Sequence, residues 1–237
     1  MTERGSRRLE RDASSLRIGP SRLERRGDVL AIAIDEIAAP WPSRVRGTVR
    51  VTTRTWHDEV HRLDAAGRHE WQPIAPCARI EVELEQPASR WQGFAYVDSN
   101  RGSAPLEHDF ARWHWSRAHD TSGKTTVLYD AQRRDGSTLG LALGFTPDDA
   151  IAGLVSAPAE CALPRSAWGI ARSTRSDAGA PASVSKTLED GPFYARSLVR
   201  SRIDGRATTA VHESLDLDRF ASPWVQAMLP FRMPRRG

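Results

Sequence analysis

Tyr96-Val97-Asp98 is the stretch of this sequence whose residue types and spacing are best suited to proton chemistry. Within Trp91 to Gly102, an extended backbone puts Phe94, Tyr96 and Asp98 on one side, because side chains two residues apart point the same way. An aspartic acid in water ionises near pH ~3.9. Surrounded by aromatic rings and shielded from water, the carboxyl is pushed toward its protonated form and can deliver that proton. The same residues also read as a turn start, with Asp98 bonding the backbone of Asp98-Ser99-Asn100.

Three further clusters stand out. His69 and Trp71 share an i, i+2 relation, in a segment that continues as Gln72-Pro73-Ile74-Ala75-Pro76. Trp113, Trp115 and Arg117 share a face if their segment is a strand. They read equally as a cavity wall with an arginine stacked on an indole. His57-Asp58-Glu59-Val60-His61 has two histidines four apart, as in a zinc helix. The order is not His-Glu-x-x-His and the flanks read as strand, so a polar strand end is the better reading and no metal site is assigned. There is no phosphate loop, dinucleotide fingerprint or Gly-x-Ser-x-Gly elbow, which removes the support for nucleotide-dependent chemistry and serine hydrolysis.

These clusters need elements to position them, and the 237-residue chain supplies mainly strands. Ala78, Ile80, Val82 and Leu84 alternate with Arg79, Glu81, Glu83 and Glu85, the pattern of a half-buried antiparallel strand. Leu30 to Ile37 and Arg46 to Trp56 read as further strands. Asp135-Gly136 and Asp204-Gly205 each sit between strand-like runs and predict type I′ hairpins. Helical periodicity is weak, with Thr2 to Leu16 and Leu106 to Phe110 the candidates. Many short strands with Gly and Asp turns predict an all-β fold of antiparallel barrels or sandwiches. Pro147 to Pro164 lacks alternation and predicts a boundary, giving units 1–148 and 149–237. Ser173 to Ser185 reads as a loop within the second unit.

Composition adds bounds. The sequence is 39% hydrophobic and 27% charged, which fits a globular core. No apolar run approaches the ~20 residues of a membrane-spanning helix. No apolar stretch follows the N-terminal charges, so the expectation is a cytoplasmic protein. Cys77 and Cys161 predict two buried thiols with no disulfide. The net charge is +4, with Lys only at 124 and 186. The arginines are scattered, with the densest stretch from Arg4 to Arg26. A solvated surface explains them best, contact with anionic lipid second, and nucleic acid is not expected as a partner.

Taken together, the sequence resembles the carotenoid 1,2-hydratases, or hydroxyneurosporene synthases, of carotenoid-producing bacteria. The likeness rests on Met1-Thr2-Glu3-Arg4-Gly5, Ile34-Asp35-Glu36-Ile37, the segments His69 to Pro76 and Tyr96 to Glu107, Trp113 to Arg117, and Phe220-Ala221-Ser222-Pro223-Trp224-Val225-Gln226. It implies two lipocalin-like units, related to an attachment-factor family and distantly to tocopherol cyclases. It also implies a hydro-lyase that uses no cofactor and hydrates an acyclic carotene such as neurosporene or lycopene. The family's His-x-Trp and Tyr-x-Asp pairs, tied to catalysis, fall on His69 and Trp71 and on Tyr96 and Asp98. Family members usually carry an additional N-terminal stretch. Either the true start lies upstream or the first unit lacks its first strands, and an unpaired edge would then favour a homodimer or lower stability.

Hydration by these residues is expected to need an acid, a stabilised cation and a placed water. Asp98 protonates C2 of the 1,2 double bond, leaving a tertiary cation at C1. Trp71 turns its π face to the cation, and Tyr96 orients the carboxyl or adds another electron-rich face. His69 places the water and takes up its proton. Phe94, Asn100, Trp113, Trp115 and Arg117 line the substrate's path. Contact with the membrane that holds the substrate, the inner or photosynthetic one, is the expected association. Two other readings stay open: a lipocalin-like carrier without chemistry, and a metal-dependent hydrolase built on His57 and His61.

Overall fold

Period-2 patterning becomes antiparallel sheet along most of the chain. A computed structural model describes residues 2–38, 41–148, 152–153, 157–229 and 233–234. The chain begins with β1 (Thr2–Glu3), a 3-10 turn over Ser6–Arg8, and then β2 (Leu9–Arg11), β3 (Ser15–Ile18), β4 (Ser21–Arg26), β5 (Val29–Ile37) and β6 (Arg44–Thr52). The helix expected over Thr2 to Leu16 is not formed. Asp12 accepts the backbone N–H groups of Ser14 and Ser15, both at 2.7 Å, and folds the chain so that Leu9 pairs with Ile18. An Asx turn wins over weak helical periodicity.

Next come β7 (His61–Arg62), β8 (His69–Gln86), β9 (Ala88–Gly102), α1 (Leu106–Asp109), β10 (Phe110–His119), β11 (Thr125–Arg133) and β12 (Thr138–Phe145). The rest comprises β13 (Ala152–Gly153), β14 (Ala159–Leu163), β15 (Arg172–Ser176), β16 (Ser183–Asp190), β17 (Tyr194–Ile203), β18 (Arg206–Asp216), α2 (Leu217–Ala221), α3 (Pro223–Met228) and β19 (Met233–Pro234). The all-β expectation therefore holds. The short helix over Leu106–Asp109 is also present.

Two compact units divide the chain. The first comprises Met1–Trp56, Cys77–Val97 and Leu229–Gly237; the second comprises His57–Pro76 and Asp98–Met228. In the first, β2 to β6 are successive antiparallel neighbours, and β6 pairs with the later half of β8, with Val51 opposite Ile80. The expected alternation is visible there, since Ala78 and Val82 are buried while Arg79, Glu81 and Glu83 are exposed. In the second unit, β13-β12-β11-β10-β18-β17-β16 form one seven-stranded sheet, and β14 and β15 pair separately. Its core holds Leu63, Trp71, Phe110, Tyr129, Phe145 and Val199, each almost fully buried.

This division differs from the boundary expected at 148/149. β10 bonds to β11 on one side and to β18 on the other, so strands from before and after that boundary share a sheet. Residues 149–151 lie outside the described residues. The loop expected over Ser173 to Ser185 is likewise partly strand. Thr174 and Ser176 point inward and are buried, and Ser176 Oγ bonds the Arg202 backbone and meets its polar needs locally.

Both expected hairpins form, with different turns. Asp204 (φ +50°) and Gly205 (φ +75°) are both left-handed, as a type I′ turn requires. At Asp135-Gly136 only the glycine is left-handed, with φ +86°. Arg133 N bonds Ser137 O and Gly136 N bonds Arg133 O. This is the longer loop with a glycine at the bulge position. Asp135 is held out of the left-handed region by accepting the Ser137 N–H at 2.8 Å. Cys77 and Cys161 carry half-buried thiols.

Candidate active site

The first half of β8 supplies two of the expected residues. β7 pairs with it antiparallel, His61 opposite Trp71 and Arg62 opposite Glu70. Alternation then buries His69 and Trp71 on one face, 2% and 0% exposed, while Glu70 and Gln72 turn outward. Successive positions on one face of a strand are roughly 6.6 Å apart, so the imidazole and indole are neighbours without touching.

The seven-stranded sheet supplies the opposing rings. Trp113, Trp115 and Arg117 share a face of β10, and Trp115 lies opposite Tyr129 of β11 and Glu213 of β18. Ring centroids run from Trp71 to Tyr129 (5.2 Å), Tyr129 to Trp113 (5.1 Å), Trp113 to Phe110 (6.0 Å) and Phe110 to His69 (5.2 Å). With His69 and Trp71 on one strand, this is a closed aromatic circuit. Pairs at these separations contribute about 0.5–1.5 kcal/mol each beyond area burial.

Polar groups punctuate the circuit. The Trp71 indole N–H donates to Asp98 Oδ2 at 2.9 Å. Asp98 lies on the same face of β9 as Asn100, whose Oδ1 accepts the Tyr129 hydroxyl at 3.4 Å, a long contact. Burial, and then the nearby Asp98 and Glu213 carboxyl groups, push the Tyr129 phenol well above its ordinary range, so it remains a neutral donor.

His69 is held at several points. Its Nε2 lies 2.6 Å from Asp109 Oδ2, and Arg68 engages the other oxygen of the same carboxylate. Its backbone N–H donates to Asp64 Oδ2 at 2.7 Å, and Arg68 N donates to Asp64 Oδ1 at 3.1 Å. Desolvation works to raise the Asp64 carboxyl, but these backbone donors and the nearby His69 outweigh it and hold it below the usual range.

His69, Leu63, Asn100, Gly102, Leu106 and Trp113 line a cavity of about 150 Å³. Pockets that enclose a whole small ligand run to about 300–1,000 Å³. This cavity is smaller than that range.

Of the sequence-predicted residues, His69, Trp71, Asp98, Asn100 and Trp113 come together here. Trp115 and Arg117 are half-buried further along β10. Tyr96 is half-buried on the Asp98 face of β9 and belongs to the first compact unit. Phe94 also belongs to that unit, 38% exposed, with the Arg79 guanidinium 4.6 Å from its ring. His57 and His61 have different neighbours: His57 packs edge-on against Phe145 and His61 lies 5.2 Å from Trp71. Among the described residues, no group of three or more His, Cys, Asp or Glu side chains could hold a metal ion.

Sequence reasoning missed Asp64, Asp109, Phe110 and Tyr129. Asp109 was legible only as the end of a short helix, because its partner is 40 positions away. Tyr129 carried a usable signal. It stands between Val127 and Ala131 in an alternating run closed by Asp135-Gly136, so its inward face followed from the hairpin.

Antiparallel sheet carrying a cluster of buried aromatic rings, with one carboxylate–indole and one carboxylate–imidazole contact, defines a β-rich protein with titratable groups set among aromatic side chains. A structure from Nitrosomonas europaea described as an AttH protein shares the fold, with a TM-score of 0.53, 17% identity, and coverage of 85% of this chain and 69% of that one. The chain belongs to the carotenoid hydratase CrtC family, which it matches over residues 1–237. It is 52% identical to an acyclic carotenoid 1,2-hydratase of Thiocapsa roseopersicina and 47% to one of Rubrivivax gelatinosus. Both alignments cover all of this chain and 58% of the relative, so the chain spans under two thirds of their length. A Rhodobacter capsulatus acyclic carotenoid 1,2-hydratase is 40% identical, with 84% of it covered.

Proposed function

We propose that this protein adds water across the terminal C1–C2 double bond of an acyclic carotene, neurosporene or lycopene, to give a tertiary 1-hydroxy carotenoid. The observation that carries the reading is the Asp98 carboxyl held by the Trp71 indole N–H inside an aromatic cluster that also contains His69. Family membership and the names of the relatives support the substrate class.

Asp98 gives its proton to C2, and the π electrons of the alkene form the new C–H bond. The cation left at C1 is tertiary. Water attacks C1, and the proton it loses passes to His69. Solvent then returns a proton to Asp98 and removes one from His69. Alkene and water balance the alcohol with no net oxidation, and the proposal assigns no cofactor.

Two roles differ from the sequence-based expectation. The Trp71 ring is fully buried, with the rings of His61 and Tyr129 each about 5.2 Å away. Its N–H edge, not its face, is the working part, so it orients the Asp98 carboxyl. The cation is better served by Trp113, which lines the cavity.

The carotene is too long for the 150 Å³ cavity, so only its terminal isoprenoid end enters while the polyene remains elsewhere. A bilayer is the natural reservoir, which favours a peripheral protein on the inner or photosynthetic membrane. No helix among the described residues is long and apolar enough to cross a membrane. A homodimer is part of the proposal, because β2 forms one edge of its sheet.

The test is expression in a lycopene-producing bacterium followed by mass analysis of the pigments. A gain of one water per modified end supports hydration. An unchanged substrate mass with bound pigment would make the protein a carrier.

A further inference from the structure

We propose that Asp109 is the positioning residue that fixes the His69 tautomer, holding Nε2–H and leaving Nδ1 as the atom that accepts the proton from water. This rests on the hydratase reading above.

The argument begins with the 2.6 Å contact between Asp109 Oδ2 and His69 Nε2, both side chains under 10% exposed. Both Asp109 oxygens act as acceptors, because Arg68 donates to Oδ1. A carboxylate used in this way has no O–H to offer, so the nitrogen facing it carries the hydrogen. In a neutral imidazole the other nitrogen is then the acceptor.

The second observation is how Nδ1 is presented. A Cβ built on Gly102 would lie 2.7 Å from His69 Nδ1 and 3.3 Å from the Arg68 carbonyl. The Nδ1 edge therefore lies against a residue that lacks a side chain and lines the same cavity. Ser103 N donates to Arg68 O at 2.9 Å, and Asp64 bonds the backbone N–H groups of Arg68 and His69. These contacts fix the backbone that carries the ring, and the ring itself is held by the Nε2 contact to Asp109.

In the hydration step the water oxygen bonds to C1 and the released proton moves to Nδ1. The resulting imidazolium keeps its Nε2–H on Asp109, whose negative charge opposes the new positive one. Asp109 is not among the residues that line the cavity and acts through His69.

The experiment uses the full chain, ¹⁵N-labelled at histidine, with long-range ¹H–¹⁵N spectra of the imidazoles at neutral pH, alongside steady-state hydration of lycopene in vesicles. His69→Ala assigns the His69 signals. Wild type is expected to show the Nε2–H tautomer at His69. Asp109→Asn is expected to populate the Nδ1–H form, because the amide can donate to Nε2. It should lower kcat about 10²–10⁴-fold with KM within about twofold, the range of a lost general base. Asp109→Glu should keep Nε2–H and recover part of kcat. An Nδ1–H tautomer in wild type would overturn the inference, and so would an Asp109→Asn protein with kcat within about threefold of wild type. If Asp109→Asn does not fold, the wild-type and Asp109→Glu spectra decide. The tautomer is read without substrate. A protein that hydrates nothing would thus sink the hydratase reading and leave the spectrum to judge Asp109.

Discussion

The indole N–H of Trp71 points at Oδ2 of Asp98 from 2.9 Å, joining residues 27 positions apart. Trp71 is completely buried, so the bond fixes one orientation of the carboxyl against a ring that cannot turn away. Trp71→Phe keeps most of the ring volume and removes the donor. A hydrogen bond to a neutral carboxyl is worth about 0.5–1.5 kcal/mol. The expected result is a fall in kcat of about 2- to 12-fold with KM little changed. Steady-state hydration of lycopene measures it.

Gly102→Ala should disable the site from the other side. The added methyl would meet His69 Nδ1 at 2.7 Å and a backbone carbonyl at 3.3 Å, and the carbonyl cannot yield cheaply. The imidazole must shift, so activity should fall at least about tenfold while circular dichroism stays that of wild type. Gly93→Ala is the control. A Cβ there has no neighbour within 4 Å, and that variant should behave as wild type.

Tyr129 separates packing from hydrogen bonding. Its ring sits between Trp71 and Trp113, and its hydroxyl makes a long 3.4 Å contact to Asn100. Tyr129→Phe should change stability by about 1 kcal/mol or less. Tyr129→Ala removes the centre of the circuit and should cost about 3–5 kcal/mol in urea unfolding.

These contacts also show which parts of the molecule local sequence could reveal. Alternation over Ala78 to Leu84 marked a real strand, and Asp204-Gly205 marked a real type I′ turn, because both signals lie within a few residues. The same reasoning split the chain at Pro147 to Pro164 on composition. It could not see that Trp115 would lie opposite Glu213, a pairing across almost a hundred residues that closes one sheet around that segment. Asp109 stayed hidden for the same reason. His69 and Asp98 were singled out by residue type and by likeness to a family. The hydrogen bonds that orient them belong to the tertiary structure.

Stability should fall as the medium turns acidic, starting above the carboxylate range. Burial, with the charges of His114 and Arg172, pushes His212 down to about 3 from its ordinary 6.5. Burial likewise lowers His114, and lowers His119 to about 4. A base whose folded pKa is depressed stays neutral in the fold while the unfolded chain takes the proton. Stability is therefore complete above pH 6.5 and is lost as pH drops toward 3. His212 alone contributes at most about 1.4 kcal/mol per pH unit. Urea unfolding at pH 7.5, 6 and 5 measures the slope, and His212→Gln should flatten it.

Asp98→Asn is the most direct test of the central claim. The amide keeps the size of the side chain and still accepts the Trp71 N–H, but it has no acidic proton to give. With lycopene as substrate and circular dichroism unchanged, the account predicts hydrated product reduced by about 10²–10⁴-fold or lost altogether. Turnover within about threefold of wild type would remove Asp98 as the acid and contradict the account.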